Sequence, residues 1–195
     1  MFILYICIMK KIAIFASGNG TNAENICKYF ENSKQISVAL ICTNNSKANV
    51  LKKLSSYNLK YLVFTKKEMN SLSLVEDTLK EMSIDLVVLA GFLLKIPTKI
   101  IKKYNNKIIN VHPSLLPKFG GKGMYGSNVH KTVLLNKETK SGVTFHFVNE
   151  EYDKGQIILQ KSCLIKQGDT VKSLEKKIQY LEHKYFPLVI KKVLL

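Results

Sequence analysis

The sequence predicts an α/β fold built on a mostly parallel sheet, and three observations carry that prediction. Short apolar runs alternate with helical patterns from Ile12 to His112, the texture of right-handed strand–helix–strand crossovers. One run, Leu86–Ala90, is apolar at every position, as a strand covered on both faces must be. After Pro117 come a glycine-rich loop and two strand-like segments, Gly142–Val148 and Gln156–Leu164, which read as an antiparallel addition at the sheet edge. The expected architecture is Rossmann-like: a mostly parallel sheet, helices on both faces and an antiparallel C-terminal addition. At 195 residues the chain is expected to form one domain, 1–195, with a sizeable core.

The elements follow in order. Met1–Met9 is apolar, but it is too short to span a membrane, and basic residues follow it rather than precede it. Translation is expected to start at Met9, with residues 1–8 an upstream extension. Ile12–Ala16 reads as a buried strand. Ser17-Gly18-Asn19-Gly20-Thr21-Asn22 is a glycine-rich turn opening a helix over Ala23–Phe30, with Thr21 or Asn22 as its cap. Ile36–Cys42 is a second strand, Ala48–Ser56 a helix and Tyr61–Phe64 a third strand. Leu72, Val75, Leu79 and Met82 share a helical stripe over 72–82. Leu86–Ala90 is followed by a loop, Gly91–Pro97, and a short helix around Thr98–Tyr104. Ile108–His112 is the next strand, which Pro113 ends because it cannot donate to a ladder. Gly120–Gly126 reads equally as a connector or as a ligand-shaping loop. Ser127–Asn136 is a helix. Asp169 or Thr170 caps the last helix, whose stripe is Val171, Leu174, Ile178, Leu181 and Tyr185. Pro187 is expected to kink or end it, with Leu188–Val193 as a segment that can resume it.

Net charge is +16, yet all 30 basic residues are lysine. A nucleic-acid reader uses arginine for bidentate contacts, so the lysines read as a solvated surface whose field collects small anions. Cys7, Cys27, Cys42 and Cys163 are scattered, without a CxxC pair or histidines at ligand spacing. Neither a disulfide framework nor a metal site is expected, and a reducing cytoplasm fits.

Two places could carry chemistry. Free N–H groups at the helix start after Gly20 suit a phosphate. The spelling Gly18-x-Gly20-x-x-Ala23 also fits a dinucleotide fingerprint, but Thr43-Asn44-Asn45-Ser46 after the second strand offers no acid for a ribose, which disfavours NAD. The second place is Asn110-Val111-His112. An extended chain puts Asn110 and His112 on one face and Val111 on the other. A carboxamide can hold an oxyanion, and an imidazole can move a proton near neutral pH. The other histidines rank lower: His130 and His183 as surface or packing residues on helices, His146 as structural within a strand. A carboxylate partner for His112 must come from another loop, and Asp153, Glu150 and Glu151 all remain candidates. With no Ser or Cys nucleophile in place, direct acyl transfer is the expected chemistry. Ser114 lacks a G-x-S-x-G elbow and reads as a turn residue.

Several segments together resemble the phosphoribosylglycinamide formyltransferase family, folate-dependent enzymes of purine synthesis. They are Ser17–Asn22, Val87–Phe92, Asn110–Pro117, Val143–Val148 and Glu182–Ile190, in order across residues 10 to 190. The resemblance implies that Gly20, Thr21 and Asn22 bind the phosphate of glycinamide ribonucleotide. It implies that Leu93, Leu94, Lys95 and Ile96, with Asn110, hold the folate. Asn110, His112 and Asp153 match the catalytic residues, with Asn110 on the oxyanion, His112 as its proton donor and Asp153 raising the histidine pKa and ordering a water. His146 matches a supporting histidine. The co-substrate implied is 10-formyltetrahydrofolate, with no tightly bound cofactor, and the enzyme is expected as a monomer or homodimer.

The chain departs from the pattern where many members carry arginines. Lys95 stands in for one, and Lys66 or Lys67 is the candidate for another. The Gly120–Gly126 loop looks like a variant branch. Methionyl-tRNA formyltransferase shares the Asn-x-His-Pro-Ser-Leu-Leu-Pro element but usually adds a C-terminal domain. Formyltetrahydrofolate deformylase usually adds an N-terminal one. A basic nucleic-acid-binding module is the reading from another class.

Overall fold

The computed structural model describes residues 9–195 apart from Leu72; the expected upstream extension, 1–8, lies outside the described residues. Seven strands form one sheet: β1 (Lys10–Phe15), β2 (Ile36–Thr43), β3 (Lys60–Val63), β4 (Leu86–Leu89), β5 (Ile108–His112), β6 (Lys140–Phe147) and β7 (Ile157–Leu164). Their order is β3-β2-β1-β4-β5-β6-β7. β1 to β5 pair in parallel, and β6 and β7 join antiparallel. Strand order reverses between β1 and β4, so the switch point lies at their carboxyl ends, where ligands of such sheets bind.

Two apolar layers cover the sheet. On one face Ile12, Ile14, Leu86 and Val88 pack with Ile26 of α1 (Thr21–Phe30), Val50 of α2 (Asn49–Lys53) and Phe186 of α7 (Val171–Leu194). On the other, Ala13, Phe15 and Val87 pack with Met69 of α3 (Lys66–Ser71), Val75 of α4 (Ser73–Glu81) and Ile100 of α5 (Thr98–Lys103). A smaller cluster joins Val129 and Val133 of α6 (Ser127–Leu135) to Leu174 and Ile178 of α7. Parallel strands covered this way must be apolar on both sides, which is why β4 shows no alternation. Among the described residues, no helix is long and apolar enough to cross a membrane.

Several expected elements change. The helix placed at 48–56 is one short turn, Asn49–Lys53. The stripe over 72–82 belongs to α4, which ends at Glu81, and α3 precedes it; Leu72 lies outside the described residues. Thr21 and Asn22 do not cap α1. They are its first residues, and the cap position is Gly20, left-handed at φ 70 with no side-chain cap. A left-handed φ favours glycine, and a Cβ there would stand 2.6 Å from Val50 Cβ. Thr170 does cap α7, through a capping box with Ser173. Pro187 neither ends nor replaces the last turns: α7 runs unbroken to Leu194. A proline in a helix leaves the carbonyl four residues earlier without its donor. Here that carbonyl, on His183, accepts from Asn25 Nδ2 of α1 at 2.8 Å.

Candidate active site

The carboxyl ends of β1, β4 and β5 surround a cleft of ≈ 420 Å³. Thr21 and Asn22 line one side, Leu93–Ile96 another, and Asn110, His112, His146 and Asp153 the floor. The backbone provides the first feature. α1 begins at the cleft without a side-chain cap, so its leading N–H groups and the positive end of its dipole are free for an anion. Asn22 Nδ2 donates to Glu182 Oε2 of α7 at 2.7 Å. Asn22 Oδ1 is buried with no partner among the described residues, an acceptor open to a ligand. Burial pushes the Glu182 carboxyl up to about 7 against the Asn22 hydrogen bond, with Glu175 adding to the rise.

The second feature is a set of side chains from the antiparallel half. Antiparallel register pairs Asn110 of β5 with His146 of β6. His146 Nδ1 lies 2.8 Å from its neighbour's carbonyl, Phe147 O. A carbonyl only accepts, so Nδ1 carries the proton and Nε2 is the acceptor for Asn110 Nδ2, 3.1 Å away. This fixes the Asn110 amide with its NH2 toward His146. Its other N–H has only a 3.5 Å contact, to Asp153 Oδ1, and is the one a substrate oxygen can take.

By the same logic His112 Nε2, 2.8 Å from Phe119 O, carries a proton. His112 Nδ1 faces Asp153 Oδ2 at 3.4 Å. Asp153 sits in the turn between β6 and β7 at φ 56, a conformation uncommon outside glycine and tolerated best by Asn and Asp. Its carboxylate also accepts from Gly121 N–H at 2.8 Å and stands 3.6 Å from His146 Nε2. Glu150 and Glu151, the competing carboxylates, do not reach His112. The glycine-rich loop is therefore part of the site: it supplies the Phe119 carbonyl to the histidine and the Gly121 N–H to the aspartate. Gly120 fits because a Cβ would meet Leu116 Cδ2 at 2.5 Å and Asp153 Cβ at 3.2 Å.

Burial is the strongest influence on His112 and lowers its pKa. Asp153 and the Phe119 carbonyl pull it back up without cancelling the fall, and His146 lowers it further. Asp153 thus raises the histidine pKa, as expected of it, while burial sets the net direction downward. Burial pulls the Asp153 carboxyl upward, but the nearby His146 and His112 rings and the Gly121 N–H more than offset it and hold the group below its ordinary value.

The exit from β5 is pinned by more than prolines. Thr144 Oγ1 donates to Ser114 O at 2.7 Å and accepts from Leu116 N–H at 3.0 Å and Gln160 Nε2 at 2.9 Å. Ser114 Oγ closes its own turn on Lys118 O, as a turn residue does. His130 takes the packing place of its two expected alternatives, 3% exposed, and it also lines the cleft. Lys95 lies 5.6 Å over the Tyr152 ring at the cleft, while Lys66 and Lys67 open α3 and are not among the residues lining it. Sequence reading gave no role to Glu182 or His130. Glu182 sits in a matching segment, but only the fold brings it 2.7 Å from a residue 160 positions away.

A Rossmann-like sheet whose switch point joins an anion-ready helix start to an acid–base cluster places the chain among α/β group-transfer enzymes. A family model described as formyl transferase matches residues 10–190, and the chain belongs to that family. It is 36% identical over 191 residues to phosphoribosylglycinamide formyltransferase of Bacillus subtilis (strain 168), covering 95% of each chain. It is 39% identical over 189 residues to the chloroplastic phosphoribosylglycinamide formyltransferase of Arabidopsis thaliana, covering 93% of this chain and 64% of that one. The chain thus spans under two thirds of that chloroplastic relative. Among solved structures, glycinamide ribonucleotide transformylase 1 from Geobacillus kaustophilus superposes with a TM-score of 0.87 at 33% identity, over 96% of this chain and 100% of that one.

Proposed function

We propose that the chain transfers a formyl group from 10-formyltetrahydrofolate to the amine of glycinamide ribonucleotide, a step of purine biosynthesis. The relatives' names point to this substrate pair. The observation that carries the reading is the convergence of Asn110, His112 and Asp153 on one cleft with the free start of α1. The phosphate sits on the N–H groups and side chains of Gly20, Thr21 and Asn22. The folate lies along Leu93, Leu94, Lys95 and Ile96 and reaches Asn110, with Lys95 a point charge in place of an arginine fork.

The amine attacks the formyl carbon, a C–N bond forms, and the carbonyl oxygen takes the negative charge. The spare Asn110 N–H holds that oxygen. His112 donates to it from Nδ1, the ring nitrogen not committed to a backbone carbonyl. Asp153 favours the protonated ring and orders the water that relays protons. As the carbonyl re-forms, the hydroxyl returns its proton to His112 and the bond to the folate N10 breaks, while the amine's proton, relayed by the water, ends on N10. The enzyme forms no covalent intermediate, binds no cofactor tightly, and acts on small molecules rather than nucleic acid. It works in the cytoplasm as one formyltransferase domain, monomer or homodimer.

The test mixes the protein with both substrates and follows tetrahydrofolate formation. Turnover that disappears on omitting the ribonucleotide supports the reading; a folded sample without turnover overturns it.

A further inference from the structure

Ser17 is the second residue after β1, 8% exposed, and it does not line the cleft. Its N–H donates to Gly91 O at 3.1 Å. Its hydroxyl accepts from Leu93 N–H at 2.9 Å and donates to Asn44 Oδ1 at 2.6 Å. A serine hydroxyl has one proton to give, and here it goes to the first residue after β2. Loops that follow β1, β2 and β4 therefore meet at one oxygen, at the switch point of the sheet. A hydroxyl that merely closed its own turn would bond a residue a few positions away, as Ser114 does. The partners of Ser17 lie 27 and 76 residues away.

We propose that Ser17 is a positioning residue that couples the two ligand loops. Its hydroxyl clasps the loop after β1, which takes the nucleotide, to the loop after β4, which takes the folate. The inference rests on the functional reading above. The outer side of the first loop is already tied to α2, by Val50 N–H to Gly18 O at 3.1 Å and Asn49 Nδ2 to Asn19 Oδ1 at 3.0 Å. An anion on the start of α1 stiffens this loop and holds Ser17 Oγ where it receives Leu93 N–H. The backbone of Leu93 then stays in place while its side chain, 54% exposed, stands at the cleft. Ordering one loop removes part of the ordering cost of filling the other, so each ligand tightens the other.

The experiment titrates glycinamide ribonucleotide and tetrahydrofolate calorimetrically, each alone and with the other present. In the unmodified protein each ligand tightens the other about 5- to 20-fold. Ser17→Ala keeps single-ligand affinities within about threefold, and its coupling falls below about twofold. Ser17→Thr, which retains the hydroxyl, restores the coupling. Unmodified coupling in Ser17→Ala overturns the proposal. If Ser17→Ala does not fold, Asn44→Ala at its partly exposed partner must at least halve the coupling, and an unchanged value again overturns the clasp. If the unmodified protein binds neither ligand, the functional reading fails by itself. The clasp is then read from the Leu93 amide, whose hydrogen exchange Ser17→Ala speeds about tenfold; unchanged exchange overturns it.

Discussion

The two halves of this molecule meet at one cleft but contribute in different ways. The parallel half, β1 to β4, offers mainly backbone: the free start of α1, a left-handed glycine, and the loop after β4. The antiparallel half, β5 to β7, offers side chains: Asn110, His112, His146 and Asp153, held by cross-strand register and one left-handed aspartate. Backbone geometry binds whatever charge is presented to it. Side chains with tuned protonation move protons. On the function proposed above, binding falls mainly to the loops after β1 and β4, and chemistry to the β5–β6 pair and the turn after β6, which straddle the line where strand direction reverses.

Substitutions should separate the halves. His112→Gln removes the proton donor and should lower kcat by about 10²- to 10⁴-fold with little change in either KM. Steady-state kinetics would show it, and a pure KM effect would break the division. Asn110→Ala should lower kcat by about 10²- to 10³-fold for loss of one oxyanion donor. Gly20→Ala acts on the other half. It forces a side chain to φ 70 and against Val50, costs about 1–3 kcal/mol of stability, and should raise the nucleotide KM while sparing kcat. Denaturant melts and KM values read the two effects.

Stability should also report the cluster. Burial depresses the pKa of His112, His130 and His183 below the ordinary 6.5. The unfolded chain then takes up protons first, so the stability these groups contribute is present above pH 6.5 and lost as pH falls through their folded values. Melting temperature should drop on acidification through that range, and less steeply in His130→Gln. Glu182 runs the other way. Its pKa is raised from 4.5 to about 7, so its contribution is full below 4.5 and lost as pH rises through 7. Glu182→Gln should therefore stabilise the protein at pH 8, by about 1–2 kcal/mol after solvent screening of a partly exposed group.

The sequence made the parallel half legible because its signals are local. Ser17–Asn22 spells a turn and a helix start within six residues, and Leu86–Leu89 shows burial on both faces by composition alone. Asn110 and His112 were readable as a pair because two residues of one strand share a face. What the residues themselves left open was non-local. Asp153, Glu150 and Glu151 could not be ranked by spacing; the turn after β6 is what brings Asp153 to 3.4 Å from His112. The bond between Asn110 and His146 depends on register, and that between Asn22 and Glu182 on how α7 packs across α1. The continuation of α7 through Pro187 required knowing that Asn25 would supply the missing donor. The net fall in the His112 pKa followed from burial, which a motif does not display.

The most direct test of the division is the pH dependence of kcat/KM for formyl transfer by Asp153→Asn. His112 must be protonated to donate, so activity falls at high pH along a limb set by its pKa. Removing the Asp153 charge removes the main influence holding that pKa up. The limb should move to lower pH by about one unit or more, with kcat reduced at every pH. A limb that stays where it was would contradict the pairing of His112 with Asp153 and the account of the site built on it.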